Sequence, residues 1–460
     1  MRPILLIDFG STFTKLTAVD LDQAAVLATA QDFTTASTDI SIGLNRALER
    51  LAEHTGDLRY EARLACSSAA GGLRMVACGL VPELTAKAAR FAAFGAGAKV
   101  IKTFSFQLTQ EDCQEIQAIA PDILLLVGGT DGGNSEVVLH NARAIAGIAG
   151  EFPVVYAGNR AAKADCVAAL EQSAHPVYTA PNVMPTFGKV DEQPVQQVIR
   201  DIFLQRIVHG KGLSQFEEVL DGILMPTPAA VLTALTLLSK GAEGQGGLGD
   251  LVAIDLGGAT TDVYSIASGE PTQAGTFLTG LREPHVKRTV EGDIGMRYSA
   301  HGVLAASGAD EIARLAHLQP DKVPSLIDQL EDAPSRLPET AEEKRLDYAL
   351  AALSIRTGLI RHAGSVQQIY TPVGPMFQQA GKDLREVELM ILTGGALIYA
   401  DDADAIVREA VAVDDPTTLI PRRFRAMKDS RYILSAMGLL AGQEQKIALQ
   451  MLKQHFGKGE

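Results

Sequence analysis

At 460 residues, with 47% apolar and 21% charged residues, the chain has the make-up of a folded protein of two or three domains, which excludes disorder as its resting condition. A formal net charge of −14 lacks the basic stripe of an extended nucleic-acid surface and repels anionic lipid. Proteins and small molecules are therefore the expected partners, with no nucleic acid and no membrane.

Met1-Arg2-Pro3 runs into a short apolar stretch without a small-residue cleavage site, so no signal peptide is expected, and no apolar run approaches the roughly 20 residues of a bilayer span. Ile4 to Ile7 and Leu16 to Val19 read as strands around a turn, and Ala25 to Phe33 continues an antiparallel meander. Ser41 to His54 has helical spacing at Ile42, Leu44, Leu48 and Leu51. From about residue 60 strands and helices alternate. Leu64 to Ser67, Lys99 to Phe106, Asp122 to Val127, Pro153 to Ala157 and Val177 to Thr179 read as strands; Pro82 to Phe94, Gln110 to Ile119, Val137 to Ile148 and Ala161 to Gln172 read as helices. Such a series builds a parallel sheet with helices on both faces. Ile199 to Val208, Phe216 to Leu220 and Pro228 to Leu238 then read as helices, and Gly241 to Gly249 as a flexible link. Leu251 to Leu256 opens a second strand, turn, strand unit, and long helices and the strand Leu389 to Thr393 fill the remainder.

The cysteines, Cys66, Cys78, Cys113 and Cys166, form no C-x-x-C pair and have no nearby histidine at zinc-ligand spacing. A reduced, cytoplasmic compartment and packing as small hydrophobes follow. His285 and His362 likewise offer no second ligand at local spacing.

Three turns carry candidate chemistry. Asp8-Phe9-Gly10-Ser11-Thr12-Phe13-Thr14-Lys15 ends a strand in a carboxylate, then offers small residues whose N–H groups can approach an anion, then a lysine. Asp8 could hold Mg²⁺ through waters, because that ion sheds its hydration reluctantly; the plainer alternative is a hairpin. A protein-kinase DFG lies well downstream of a glycine-rich loop and a catalytic segment, and here four residues precede Leu5. Asp255-Leu256-Gly257-Gly258-Ala259-Thr260-Thr261-Asp262 repeats the device. Two such turns could face each other across a cleft and share one polyphosphate and its metal. Met390 to Ala396 is a strand followed by Gly394-Gly395-Ala396, where a flat base or ribose can lie on the backbone.

The order of these pieces resembles the actin, hexokinase and Hsp70-type ATPase superfamily. Asp8 to Lys15 looks like its phosphate 1 motif, with Gly10, Ser11, Thr12, Phe13 and Lys15 on the phosphates. Asp255, Gly257, Gly258, Ala259 and Thr260 look like phosphate 2, and Gly394, Gly395 and Ala396 like the adenosine motif. Ser435-Ala436-Met437-Gly438 is similar to connect 2, and Met225-Pro226-Thr227-Pro228-Ala229-Ala230 to connect 1. The resemblance implies a two-lobed α/β ATPase of ribonuclease H-like repeats that binds ATP or ADP with Mg²⁺ on Asp8 and Asp255. On that reading, residues 1–60 and 183–245 form the first lobe, 61–182 an inserted α/β subdomain and 246–460 the second lobe. One departure matters. Hsp70-type proteins carry a glutamate in connect 1 that positions the attacking water, and Met225, Pro226 and Thr227 supply no carboxylate. Asp8 or Asp255 would then order the water, and turnover would be slow.

Longer strings narrow the resemblance. Cys66 to Met75, Val127 to Asn134 (VGGTDGGN) and Lys287 to Ser299 are similar to the glutamate mutase accessory protein L family, often called MutL or GlmL, over nearly the whole chain. This implies an ATP-dependent factor that maintains or reactivates an adenosylcobalamin-dependent mutase, with the mutase subunits as partners and self-association left open. Read locally, Ser67 to Gly72 is a small-residue turn, suited to an anion or to close packing. Gly128 to Asn134 ends a buried strand where α/β sheets place ligands, or is a plain tight turn. Glu291-Gly292-Asp293 would begin a helix, with Glu291 a candidate ribose contact by the superfamily resemblance. Lys287 and Arg288 could contact adenine or phosphate, and a solvated charged face is the expectation. Two alternatives remain beside the reactivating factor: a small-molecule kinase of the same superfamily, and a non-catalytic binding protein switched by nucleotide.

Overall fold

The computed structural model describes residues 1–457 apart from 11, 36–39, 69–72, 83, 85–86, 97, 211–222 and 373. The chain folds into two compact units, Met1–Ala234 with Ile433–Leu452, and Leu235–Tyr432 with Lys453–Glu460.

The first unit opens with the antiparallel meander β1 (Pro3–Phe9), β2 (Phe13–Asp20) and β3 (Ala25–Phe33). Helix α1 (Ile40–Thr55) buries Ile40, Gly43, Leu44, Ala47 and Leu51, one stripe at three-to-four-residue spacing. Strand β4 (Ala62–Ser67) returns parallel to β1. There follow β5 (Arg74–Gly79), α2 (Lys87–Gly95), β6 (Lys99–Ser105), α3 (Gln110–Ile119), β7 (Ile123–Leu126), α4 (Glu136–Ala146), β8 (Val154–Tyr156), α5 (Lys163–Leu170) and β9 (Val177–Thr179). These strands form a separate all-parallel sheet, ordered β6-β5-β7-β8-β9. After α6 (Gln193–Gly210), strand β10 (Ile223–Pro226) lies parallel to β4 and completes the first sheet, β10-β4-β1-β2-β3.

Helix α7 (Thr227–Lys240) and the hairpin β11 (Gly241–Ala242) and β12 (Gln245–Gly246) lead to β13 (Leu251–Leu256), β14 (Thr261–Ile266), β15 (Thr276–Thr279) and β16 (Val286–Glu291). Helices α8 (Ala300–Ser307), α9 (Ala309–Ala316), α10 (Val323–Asp332) and α11 (Ala341–His362) come next; a capping box between Thr340 and Glu343 starts the last. Then come β17 (Ser365–Thr371), β18 (Gly374–Ala380), β19 (Leu389–Thr393), α12 (Gly395–Ile398), α13 (Ala403–Val411), β20 (Arg425–Lys428), α14 (Ile433–Ala441) and α15 (Gln445–Phe456). The second unit's main sheet is β16-β14-β13-β19-β20, with β15-β18-β17 as a small companion.

Numbered by appearance, both main sheets run 3-2-1-4-5, with strands 1 to 3 antiparallel and 4 and 5 parallel to 1. One sheet design is used twice, as the ribonuclease H-like repeats require. The central strands explain their own position: β1 is buried at every residue and β13 at all but Asp255, the continuous apolar reading of strands covered on both faces.

Several expectations need correction. Strand β4 belongs to the first main sheet, not to the inserted subdomain, because it pairs with β1 from Ile4↔Ala62 to Phe9↔Ser67. The inserted sheet begins at β5, a strand absent from the sequence reading; its short run between glycines has no periodicity to separate it from a turn. Of the helix expected from Pro82, the α-helical part among the described residues begins at Lys87. Gly241 to Gly249 is no loose link: its start is the β11–β12 hairpin, and Leu248 and Gly249 donate to Leu238 and Ser239 carbonyls. Glu291 ends strand β16 and begins no helix; the next helix starts at Ala300. Lys287 and Arg288 are buried, not solvated. Helix α14 packs within the first unit. The expected helix at Phe216 to Leu220, Ser11 and residues 69–72 lie outside the described residues.

Candidate functional site

Each unit places one strand-end carboxylate beside a glycine turn. Gly10 N–H donates to the Phe13 carbonyl at 3.1 Å, and Gly257 N–H to the Thr260 carbonyl at 2.9 Å. Both glycines stand two residues after the aspartate, and the same bond closes both turns. A methyl group on Gly10 would lie 2.6 Å from Phe13 O, and one on Gly257 3.2 Å from Thr260 O. The backbone comes too close for a side chain at the first turn and nearly so at the second.

In the first unit, Asp8, one residue before the end of β1, lies opposite Lys15 of β2 and Cys66 of β4. Its carboxylate is buried and held at both oxygens. Thr227 Oγ1, at the start of α7, donates to Oδ1 at 2.6 Å, and Ser435 Oγ, in α14, donates to Oδ2 at 3.0 Å. The Cys66 thiol lies 3.5 Å from Oδ1 and 3.7 Å from the Thr227 hydroxyl. Burial pushes that thiol well above its ordinary range, and the Asp8 charge adds to the shift. Cys66 is thus a neutral member of a polar cluster, not only a small hydrophobe. Helices α7 and α14 approach closely where Gly438 faces Ala230; a methyl there would sit 1.8 Å from Ala230 O. Thr12 is exposed, Phe13 and Lys15 half-buried, and Phe13 stacks on Phe33 at 4.6 Å.

In the second unit, Asp255 near the end of β13 is half-buried, opposite Asp262 of β14 and Thr393 of β19. Gly394, with φ +89°, brings its backbone against this carboxylate: a methyl there would lie 2.6 Å from Asp255 Oδ1 and 2.4 Å from Leu256 O. The adenosine-like turn and the phosphate 2-like turn therefore form one surface. Gly395 faces the Tyr432 hydroxyl, whose pKa is raised by burial and further by Asp255. Residues 295–298 close over the turn, with Met296 N–H on Gly257 O and Arg297 and Tyr298 N–H on Gly258 O. Gly258, Thr260 and Ala396 are half-buried and Ala259 is exposed. Among the described residues, no group of three or more His, Cys, Asp or Glu side chains is placed to hold a metal ion.

The charged residues nearby do structural jobs. Arg288 clamps Asp262, Nε to Oδ1 at 2.8 Å and a terminal nitrogen to Oδ1 at 2.6 Å. Glu291 pairs with Arg361 at 2.6 Å; burial pushes its carboxyl up and the arginine pulls it back. Lys287 reaches the His362 carbonyl and Glu283. In the inserted sheet, the Gly128 to Asn134 loop is tied down from inside. Buried Asn159 donates to the carbonyls of Gly133 and Asn134 and accepts from Gly132, and Asn182 donates to Gly129 O and Asp131.

The hydroxyl clamp on Asp8 is not legible in the sequence. Thr227 and Ser435 stood in segments singled out for their resemblance to connect 1 and connect 2, but 219 and 427 residues separate them from Asp8. No local pattern reports such a contact.

A family model described as MutL protein matches residues 4–456. The chain belongs to the MutL family. Within it, Protein MutL of Clostridium tetanomorphum is 43% identical over 461 residues, with 100% of both chains covered. Among solved structures, a glycerol dehydratase reactivase overlays on this MutL family chain with a TM-score of 0.36 at 10% identity, covering 96% of it and 100% of the reactivase. Component A of the Acidaminococcus fermentans (R)-2-hydroxyglutaryl-CoA dehydratase gives 0.34 at 11% identity, covering 97% and 100%. Both overlays are loose and add nothing to the family match.

Proposed function

We propose that this chain is an ATP-dependent accessory factor that reactivates an adenosylcobalamin-dependent mutase, and that it is a slow ATPase. The observation carrying the nucleotide reading is the repeated device: two sheets of one design, each with a carboxylate one residue before the end of its first strand, beside the same glycine-closed turn. The mutase as partner follows from the family resemblance.

In this reading Gly10, Thr12, Phe13 and Lys15 serve the phosphates from one turn, and Gly257, Gly258, Ala259 and Thr260 from the other. Gly394, Gly395 and Ala396 lie beside the second turn and take the adenosine. The donor set fits a hydrated Mg²⁺. Asp8 accepts the Thr227 hydroxyl and the Cys66 thiol at Oδ1 and the Ser435 hydroxyl at Oδ2, so Oδ2 is the oxygen that would meet a water of an ion held through its own hydration shell. Bound there with ATP, Mg²⁺ would neutralise charge on the phosphates. Thr227 and Ser435 fix the orientation of the Asp8 carboxylate, and Thr227 occupies the segment that lacks a carboxylate of its own. Glu291, committed to Arg361, would reach a ribose only by giving up that pair.

The test is reactivation of a mutase whose cofactor has been damaged. Activity should return when this protein, ATP, Mg²⁺ and fresh adenosylcobalamin are added together, and stay lost when ATP is left out. Equal recovery with and without ATP would refute the proposal.

A further inference from the structure

Proteins blunt the open edges of their sheets with charges, prolines or very short strands, because an unpaired row of N–H and C=O groups invites another strand. This chain follows the rule at nearly every edge. Strand β3 carries Asp32, β10 ends in Pro226, β16 carries Lys287, Arg288 and Glu291, β20 has Arg425 and Lys428, β6 has Lys99 and Lys102, and β9 spans three residues. The exceptions are the two edges of one small sheet, the four-residue β15, TFLT, and the longer β17, SVQQIYT. Strand β17 is a seven-residue edge of the β15-β18-β17 sheet, and none of that sheet's strand residues is charged, in a chain of net charge −14.

The backbone of β17 shows which groups face outward. Val366 N–H donates to Thr417 O at 2.8 Å, and Leu419 N–H to Gly364 O at 3.1 Å, on the side away from β18. By the alternation of an antiparallel strand, the N–H and C=O of Gln368 and Tyr370 point to that same side. Beyond the short bridge to Thr418, no strand covers it among the described residues. The Tyr370 side chain is 85% exposed.

We propose that β17 is a dimerisation edge whose occupant is the β17 of a second copy of this chain. With Val366 kept on Thr417, the antiparallel register pairs Gln368 with Tyr370 of the partner subunit, and the reverse. The two-fold axis then passes through Ile369, so two isoleucines meet there, beside Met376, the neighbour of Ile369 on β18. Such a contact is self-complementary and closes on itself. Absence of charge suits such a pairing of identical strands: a charge at Ile369 would meet its own copy on the axis, and one at Gln368 or Tyr370 would stand diagonally from its copy. This proposal is independent of the nucleotide reading.

The test is the mass of the full-length protein by light scattering over a wide concentration range. The wild type should approach twice 48.8 kDa as concentration rises. Tyr370→Pro removes one outward N–H and no bond to β18, and should raise the dimer dissociation constant about tenfold or more while melting as the wild type does. Should that variant misfold, Tyr370→Lys, which sets a charge beside the axis, must weaken the dimer instead. A wild type that stays monomeric throughout, or a dimer indifferent to both substitutions, would overturn the proposal; so would a strand-dependent complex formed only with another protein.

Discussion

The turn at Asp8 and the turn at Asp255 share their backbone but not their surroundings. Both follow a buried first strand and are closed by one bond from the glycine two residues on. Around Asp8, side chains do the holding: two hydroxyls from α7 and α14 take one carboxylate oxygen each, with a neutral thiol beside them. Around Asp255, backbone does it: Gly394 lies against the carboxylate and residues 295–298 cover the turn. The two sheets share one frame and fit its turns differently. The first carboxylate answers to hydroxyl placement, the second to chain geometry.

The largest expected effect treats the turns alike. Asp8→Ala and Asp255→Ala should each lower ATP turnover by about a hundredfold or more, if each carboxylate serves the reaction. Loss at one turn and not the other, in a phosphate-release assay on folded protein, would break the symmetry. Next comes the backbone at the second turn. Gly394→Ala puts a methyl 2.4 Å from Leu256 O at φ +89°, and should cost about 2 kcal/mol or more by denaturant melt. An unchanged midpoint would mean that this close approach is not held in solution. Then comes the hydroxyl clamp. Thr227→Val should lower turnover about tenfold with little change in ATP affinity, whereas Thr227→Ser should keep most of it. A valine variant as active as the serine variant would remove Thr227 from the account. The smallest effect separates the two glycines. Gly10→Ala, with 2.6 Å of space, should destabilise more than Gly257→Ala, with 3.2 Å, by about 1 kcal/mol. A reversed order would show that the turns relax differently from their static spacing.

The repeated sheet was legible because its evidence is local. An apolar run ending in Asp and Gly, twice, marks two central strands and their turns, and β3 was read with its observed limits. The glycines that needed close approach, Gly10, Gly257 and Gly394, could be named for the same reason. What failed depended on distant neighbours. Lys287 and Arg288 look like a solvated pair until α11 brings His362 over one and β14 brings Asp262 under the other. Strands β17 and β18, rich in glutamine and free of charge, have no strong period to announce them. The placement of Thr227 and Ser435 on Asp8 depends on where two helices land, which residue spacing does not encode.

The proposed function needs both aspartate turns for nucleotide binding. Calorimetric titration of the wild type, Asp8→Ala and Asp255→Ala with ATP in the presence of Mg²⁺ tests it most directly. One ATP per chain is expected for the wild type, with that same binding weakened by either substitution. Two independent sites, each lost with its own aspartate, or no binding at all, would contradict it.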